Sequence, residues 1–179
     1  PPAALPAALA PRVEARADSF ELVATLDGGK LLVSLARFAP TEPVPNARMN
    51  VWQADAEGNY DVQYADLAHA QARGVLHADD QGRFHFKTIL AEAYPIPSDG
   101  PVGRMLKATA NHPWRPAHLH FMIEAPGYQR LITHVFRNHD QYLDSDVVFG
   151  VRQSLVADWV QQPDGSYLLA YEFVLNPEK

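Results

Sequence analysis

Two histidines separated by a single residue, His118 and His120, carry the clearest chemical signal in the sequence. On a β-strand, side chains two positions apart point to the same face and lie about 7 Å apart, so both imidazoles can converge on one metal ion. Leu119 and Phe121 then point to the opposite face, where their packing fixes the register of the strand. So short a motif also occurs on ordinary strand surfaces, and further ligands are needed to indicate a metal site.

One candidate set of further ligands is Glu124 with His134. The pattern His-x-His-x-x-x-Glu, followed by His-x-x-x-Asn, resembles the metal motifs of cupins. Cupins carry glycines at positions where this chain has His112 and Leu131. The separation between Glu124 and His134 is also too short for the strands that divide the two cupin motifs. A cupin-like metal enzyme that uses His118, His120 and Glu124 therefore stays open as an alternative only.

Tyrosines supply the second candidate set. Tyr60 follows the turn Glu57-Gly58-Asn59 at the end of a predicted strand, and Tyr94 opens a proline-rich loop. Strand ends and the loops that follow them commonly deliver side chains into a functional pocket. Most tyrosines at such positions are ordinary amphipathic surface residues, so spacing alone leaves the choice between the two sets open.

Four stretches of the chain, taken together, resemble the intradiol ring-cleavage dioxygenases. They occur in that family's order and at similar intervals, and they cover residues 43–55, 58–61, 94–101 and 115–121. The resemblance implies that Tyr60, Tyr94, His118 and His120 are the protein ligands of a non-haem Fe(III). Phenolates suit such a hard, highly charged ion, which can deprotonate a phenol whose ordinary pKa is about 10.

The resemblance also implies a reaction. A 1,2-dihydroxybenzene would chelate the iron, Tyr94 would leave the metal and take up a substrate proton, and O₂ would cleave the ring between the hydroxyl-bearing carbons to a muconate-type diacid. Arg115 stands where the family stabilises negative charge on the substrate, and a guanidinium keeps its proton under all relevant conditions. His134 stands where hydroxyquinol-cleaving relatives carry His and catechol-cleaving relatives carry Gln. Asp55 and the runs 94–97 and 132–136 together resemble the hydroxyquinol branch more than the catechol branch, so we expect hydroxyquinol as substrate, with catechol as the alternative.

Further residues are predicted to line the substrate cavity, because they lie beside Tyr60 or follow Tyr94. They are Asp55, Pro97, Asp99, Gly100 and Val102. Trp52 and Trp114 flank the site segments and are interpreted first as packing residues.

Composition restricts the partners of the 179-residue chain. The formal net charge of −6 gives no general attraction to nucleic acid, and the absence of cysteine excludes thiolate metal ligands. No apolar run approaches the roughly 20 residues needed to span a bilayer. We expect a cytoplasmic enzyme whose partners are a small aromatic diol and O₂, with a homodimer as the expected assembly.

Turn signals that separate short runs of β-branched and aromatic residues predict an all-β fold, an antiparallel, immunoglobulin-like β-sandwich with long site-building loops. One short C-terminal helix is predicted over residues 147–160, and an ordered loop over residues 94–103. The predicted strands cover residues 31–37, 47–54, 74–77, 83–89, 118–124, 130–136 and 167–175.

Two units are predicted along the chain. Residues 1–18 are interpreted as an N-terminal arm or linker remnant, and residues 19–179 as the catalytic β-sandwich domain. Catechol and hydroxyquinol dioxygenases usually carry a helical segment before the sandwich, and only residues 1–18 precede the predicted domain here. A non-catalytic β-sandwich binding module is the alternative of another functional class, although the complete set of expected ligands argues against a decayed site.

Overall fold

The computed structural model describes residues 42–178 in full and the backbone of three earlier strands. Within the described residues there are thirteen strands and one α-helix, α1 (Pro101–Ala108). The strands are β1 Val13–Arg16, β2 Ser19–Leu22, β3 Leu31–Phe38, β4 Arg48–Trp52, β5 Arg73–His77, β6 Arg83–Ile89, β7 Tyr94–Pro95, β8 Trp114–Arg115, β9 His118–Glu124, β10 Leu131–Arg137, β11 Val156–Ala157, β12 Trp159–Gln161 and β13 Tyr167–Phe173.

The strands form two main sheets. One has the order β11-β10-β9-β4-β5 and the other the order β12-β13-β3-β6, while β1 pairs with β2 and β7 with β8. Most neighbours are antiparallel, but β3 pairs with β13 in parallel and β10 pairs with β11 in parallel. The β-rich fold predicted from the sequence is confirmed, whereas the prediction of purely antiparallel sheets is wrong at these two pairs.

The hydrophobic core lies between the two main sheets. On β9, Leu119, Phe121 and Ile123 are fully buried, as the alternation of apolar and polar residues predicts. The ring of Phe121 packs against Phe84 of β6 and Phe173 of β13, with ring centroids 6.4 Å and 4.8 Å away. Burial of each large side chain of this kind stabilises the fold by about 1.5–3 kcal/mol. This packing holds the opposite face of β9, which carries His118 and His120, in one orientation.

The predicted C-terminal helix over residues 147–160 is wrong. The segment instead contains the 3-10 turn Gln153–Leu155 followed by β11 and β12. The Asp146 carboxylate accepts the backbone N–H of Gly150 at 2.9 Å, and Phe149 adopts a positive φ of 55°. This side-chain turn competes with helix formation, and tertiary pairing of β11 with β10 then overrides the helical spacing of Val151 and Leu155.

The helix α1 begins inside the segment that the sequence predicts as a loop, residues 94–103. Pro101 occupies its first turn after Gly100 at the N-cap, an arrangement that pre-sets the helical backbone angle. Leu106 and Gly103 are its buried residues. A Cβ on Gly103 would lie 1.7 Å from the carbonyl oxygen of Ser98, so only glycine permits the loop to fold back on the helix.

The predicted division at residue 18 falls between β1 and β2, which pair with each other. Residues 1–12, and with them most of the predicted arm, lie outside the described residues, and the division into arm and domain stays a prediction. Among the helices that the structure describes, none is long and apolar enough to cross a membrane.

Candidate metal centre

Four side chains from three separate parts of the chain direct donor atoms to one point. The Tyr60 hydroxyl oxygen lies 2.7 Å from that of Tyr94 and 2.8 Å from Nε2 of His120. His118 Nε2 lies 3.1 Å from His120 Nε2 and 3.5 Å from the Tyr94 hydroxyl oxygen. Ligands bound about 2.0–2.1 Å from a transition metal, at right angles to one another, lie about 2.9 Å apart. The spacing of these four atoms therefore suits coordination of a single ion.

His118 is held by the backbone directly before its strand. Its Nδ1 lies 2.6 Å from the carbonyl oxygen of Pro116, so Nδ1–H donates to that oxygen and leaves Nε2 unprotonated toward the site. Burial, together with the positive charge of Arg115, lowers the pKa of His118 to about 3. The ring is therefore neutral at physiological pH and offers a lone pair to a cation.

His120 is flanked on both sides by rings from the neighbouring strands. Trp52 of β4 stacks on it with ring centroids 5.0 Å apart and planes 5° apart, and His134 of β10 lies opposite at 4.5 Å. Burial and the nearby His118 lower the pKa of His120 to about 2. Trp52 therefore does more than fill space, because it fixes the plane of a candidate ligand.

The loop after β4 delivers Tyr60. Asp55 Oδ1 accepts the backbone N–H groups of Glu57 and Asn59 at 3.0 Å and 2.8 Å, and its Oδ2 accepts the hydroxyl of Tyr64 at 2.6 Å. The Tyr60 backbone N–H donates to Gln63 Oε1 at 2.7 Å. These contacts give the loop one conformation. Burial, with the nearby Tyr94, raises the pKa of Tyr60, so its phenol keeps its proton unless a cation replaces that proton.

Tyr94 reaches the site through the short β7–β8 ladder, which places it directly beside Arg115. Its side chain is buried, with 7 % exposed. Gly58, with φ at +83°, contacts it from the Tyr60 loop, and a Cβ there would lie 2.8 Å from Tyr94 Cβ. The Tyr60 loop is therefore packed against Tyr94 through the backbone of Gly58, in addition to the contact between the two hydroxyl groups. The sequence places Gly58 in a turn and in a matched stretch but does not predict its contact with Tyr94.

Arg115 is buried and points its NH1 group into the site, where NH1 lies 3.1 Å from His118 Nε2. Its Nε and NH2 groups donate to Asp146 Oδ1 and Oδ2 at 3.0 Å and 3.2 Å. Burial opposes the charge, but the hydrogen bonds and the charge of Asp146 outweigh it and raise the pKa of Arg115. The site thus holds a fixed positive charge. Sequence reasoning missed Asp146, which lies 31 residues away along the chain.

His134 joins the two strand histidines. Its ring also lies 5.2 Å from that of His118, and the three residues bring nitrogen atoms within 4.8 Å of one another. Burial, followed by the charge of Arg115, lowers the pKa of His134. The structure thus brings His134 to the rim of the donor cluster, and its role toward the substrate stays a prediction.

The residues predicted to contact substrate occupy more varied positions. Both carboxylate oxygens of Asp55 accept hydrogen bonds inside the Tyr60 loop. Pro97, Asp99 and Val102 are exposed, and Gly100 caps α1. Their contact with a substrate stays a prediction.

Glu124, the ligand of the cupin-like alternative, lies at the far end of β9 from His118. Its carboxylate accepts Arg48 NH1 at 3.1 Å and Arg130 Nε at 2.9 Å. A carboxylate held by two guanidinium groups at the opposite end of the strand disfavours a metal site built from His118, His120 and Glu124. The tyrosine-containing set is the one that the fold assembles, and two phenols with two neutral imidazoles suit a hard, highly charged metal ion.

Comparisons with known proteins indicate the family of the chain. Residues 19–177 match the family model described as dioxygenase. The chain is 67% identical over 135 residues to the 6-chlorohydroxyquinol 1,2-dioxygenase of Cupriavidus pinatubonensis, a match that covers 75% of this chain and 49% of that protein. It is 52% identical to the hydroxyquinol 1,2-dioxygenase of Nocardioides simplex over 69% of this chain and 42% of that one. The chain thus spans about half the length of these relatives.

A solved structure gives the same result in three dimensions. The hydroxyquinol 1,2-dioxygenase of Pseudomonas putida DLL-E4 superposes with a TM-score of 0.78 at 41% identity, over 84% of this chain and 57% of that one. The family model covers most of the chain, and the fold and the sequence point the same way. The chain belongs to the intradiol ring-cleavage dioxygenase family.

Proposed function

We propose that the chain carries the catalytic site of an Fe(III) dioxygenase that cleaves a 1,2-dihydroxybenzene, preferably hydroxyquinol, between its hydroxyl-bearing carbons. The observation that carries the proposal is the convergence of two phenol oxygens and two imidazole nitrogens beside a buried guanidinium. Family membership supports the reaction type. The product is a muconate-type diacid, formed with O₂.

Tyr60, Tyr94, His118 and His120 would hold the ferric ion. When bound, that ion supplies a Lewis acid that draws the diol in as a dianion and makes its ring reactive toward O₂. The phenolate oxygen of Tyr94 would act as the internal base that accepts one of the two protons that the diol gives up, and solvent would take the other. Arg115 NH1, on the His118 side of the centre, balances negative charge that develops on the substrate.

We assign the choice of substrate to His134. Its ring lies beside His120, and its lowered pKa keeps it neutral, so one nitrogen can accept a hydrogen bond from a third ring hydroxyl. The names of the relatives, hydroxyquinol and 6-chlorohydroxyquinol 1,2-dioxygenases, support this substrate class. Asp55, Pro97, Asp99, Gly100 and Val102 are proposed as further cavity residues.

Oxygen uptake by iron-loaded protein with hydroxyquinol, catechol and protocatechuate, compared side by side, tests the proposal. We expect turnover with hydroxyquinol to the ring-opened diacid. A kcat/KM tenfold higher for catechol or protocatechuate, about 1.4 kcal/mol in transition-state binding, would contradict the substrate assignment. A yellow semialdehyde formed from catechol, the product of cleavage outside the diol, would contradict the intradiol reaction.

We further propose that the two main sheets form an immunoglobulin-like sandwich, for which their shared core and the superposition on the Pseudomonas putida enzyme are the support. A homodimer and a cytoplasmic location stay predictions from the sequence. Sedimentation of the purified chain tests the assembly.

A further inference from the structure

We infer that Asp146 is a positioning residue of the reaction, which acts by holding Arg115 so that one edge of its guanidinium faces the metal centre. The inference rests on the proposed function for its effect on rate. The geometry on which it depends is a property of the fold alone.

The Asp146 side chain is almost completely buried, with 1 % of it exposed, and that of Arg115 is 7 % exposed. The carboxylate accepts two hydrogen bonds from Arg115, one from Nε and one from NH2, which is the bidentate geometry that fixes a guanidinium plane. The remaining NH1 group is then directed at His118 Nε2, 3.1 Å away. Without the carboxylate, rotation about the last side-chain bonds would let NH1 leave the centre.

Asp146 is itself held by the turn that follows it. Its carboxylate accepts the backbone N–H of Gly150 at 2.9 Å and that of Val148 at 3.4 Å. A Cβ at Gly150 would lie 3.0 Å from Arg115 NH2 and 3.1 Å from Asp146 Oδ2, so the glycine leaves the space that the ion pair occupies. Backbone N–H groups, carboxylate and guanidinium thus form a chain that ends at the proposed reaction centre.

The charge of Asp146 also supports its role in positioning Arg115. A buried guanidinium without a counter-charge is strongly unfavourable, and the hydrogen bonds and charge of Asp146 keep Arg115 protonated despite burial. Asparagine at position 146 would remove the charge. It would also direct an N–H₂ group toward one of the Arg115 donors. The guanidinium would then seek another partner, at the expense of its alignment.

The test is Asp146→Asn in iron-loaded protein, alone and combined with Arg115→Ala. A misplacement of a catalytic group by about 1 Å costs up to about 100-fold in rate, so kcat for hydroxyquinol should fall between about tenfold and 100-fold. The visible tyrosinate band should persist, because no ligand changes. In the Arg115→Ala background the same substitution should change kcat by less than about twofold, because Asp146 acts through Arg115.

Gly150→Ala is a second variant, which serves as the test if Asp146→Asn does not fold. It keeps both charges but crowds the Arg115–Asp146 ion pair, so it should lower kcat by a smaller factor than Asp146→Asn. Asp79→Asn is the matched control. In the β5–β6 turn the Asp79 carboxylate likewise accepts hydrogen bonds from an arginine side chain, that of Arg83, and from the backbone N–H groups of Gln81 and Arg83. It should leave kcat unchanged. An unaltered kcat in Asp146→Asn, or in Gly150→Ala where that variant must serve instead, overturns the inference. The inference is also overturned if Asp146→Asn lowers kcat by the same factor in the wild-type background and in the Arg115→Ala background.

A second readout separates this inference from the proposed function. In metal-free, ¹⁵N-labelled protein, the Arg115 Nε–H should give a sharp, slowly exchanging NMR signal that is lost in Asp146→Asn and kept in Asp79→Asn. Wild-type protein that turns over no diol would defeat the proposed function, while this signal would still show whether Asp146 holds Arg115. Persistence of the signal in Asp146→Asn overturns the positioning role.

Discussion

Burial favours the uncharged form of His118, His120 and Tyr60 in the donor cluster. It lowers the pKa of His118 and His120 and raises that of Tyr60. The histidines are therefore ready for any metal ion, whereas Tyr60 gives up its proton only to a strongly charged one. This difference favours a ferric ion over divalent ions that histidines alone would bind.

The lowered pKa of His118 predicts loss of stability in acid. An unfolded histidine binds a proton below about pH 6.5, whereas folded His118 does so only near pH 3, so stability rises with pH across that window and is lost as pH falls. At pH 5 His118 alone should reduce the free energy of unfolding of metal-free protein by about 2 kcal/mol relative to pH 8. Urea unfolding at both pH values measures this. His118→Asn should show a smaller loss, and an identical loss in both proteins would contradict the assignment.

The two tyrosines are expected to differ in their roles. Tyr94→Phe should still bind iron, and its substrate-bound visible spectrum should resemble that of wild type, because we expect Tyr94 to leave the metal when substrate binds. Its turnover should fall by about 100-fold or more, since the internal base is lost. Tyr60→Phe should weaken ferric binding and alter the colour in the substrate complex as well. Spectra before and after anaerobic addition of substrate, together with rates, measure the difference.

Tyr171→Phe is the control for both tyrosine variants. Its hydroxyl donates to a backbone carbonyl, that of Ser154, at 2.8 Å, outside the donor cluster. Colour and rate should match wild type. If the substrate complexes of Tyr94→Phe and Tyr60→Phe depart equally from the wild-type spectrum, the division of roles is wrong even if all four ligands are right.

At the level of elements, the turn at Gly58, in the loop that follows β4, sets how closely Tyr60 and Tyr94 approach each other. Gly58 and Gly165 both have positive φ, but a Cβ meets Tyr94 only at Gly58, while the space at Gly165 is open. Alanine at either position should cost about 1 kcal/mol or more through backbone strain. Gly58→Ala should in addition shift the tyrosinate band and weaken iron binding. Thermal unfolding and iron titration measure both effects, and an unshifted band in Gly58→Ala would contradict the close approach.

The seven predicted strands are all found, whereas the predicted helix is not, and the six short strands β1, β2, β7, β8, β11 and β12 were not predicted. In β9 the alternation of buried and half-buried residues directly reflects the environment of the strand, so the sequence predicts its bounds. Residues 147–160 have helical spacing, yet their conformation is decided by Asp146 and by pairing with β10, which are tertiary effects. For α1 the sequence did contain a helical signal, Pro101 followed by Leu106 and Lys107. The neighbouring glycines nevertheless led to the prediction of a loop.

The part of the candidate site that lies on a single strand, β9, could be predicted from the sequence. His118 and His120 share a face by strand periodicity, and the family resemblance added Tyr60 and Tyr94. The contacts that hold these groups were not predictable, because they join distant segments. Asp146 meets Arg115, and Gly58 meets Tyr94, only after the chain folds.

At the level of the whole molecule, the metal would act as a cross-link. Its proposed ligands come from the loop after β4, from β7 and from β9, so three segments that the sheet hydrogen bonds connect only partly would be joined at one point. Tyr60 and Tyr94 are the ligands outside the main sheets. Their loops should therefore depend on the metal more than β9 does.

Removal of iron should accordingly lower the melting temperature. A ligand that binds only the folded state, at a free concentration about 1,000 times its Kd, stabilises it by about 4 kcal/mol. For a chain of this size that corresponds to a difference of about 8–16 °C between iron-loaded and chelated protein. The difference should shrink in Tyr60→Phe, which loses a ligand, and persist in Tyr171→Phe. Calorimetry of each protein with and without chelator measures it. Equal melting temperatures of loaded and chelated wild-type protein would show that these four side chains do not hold the metal, because a cross-link of three segments cannot leave unfolding unaffected.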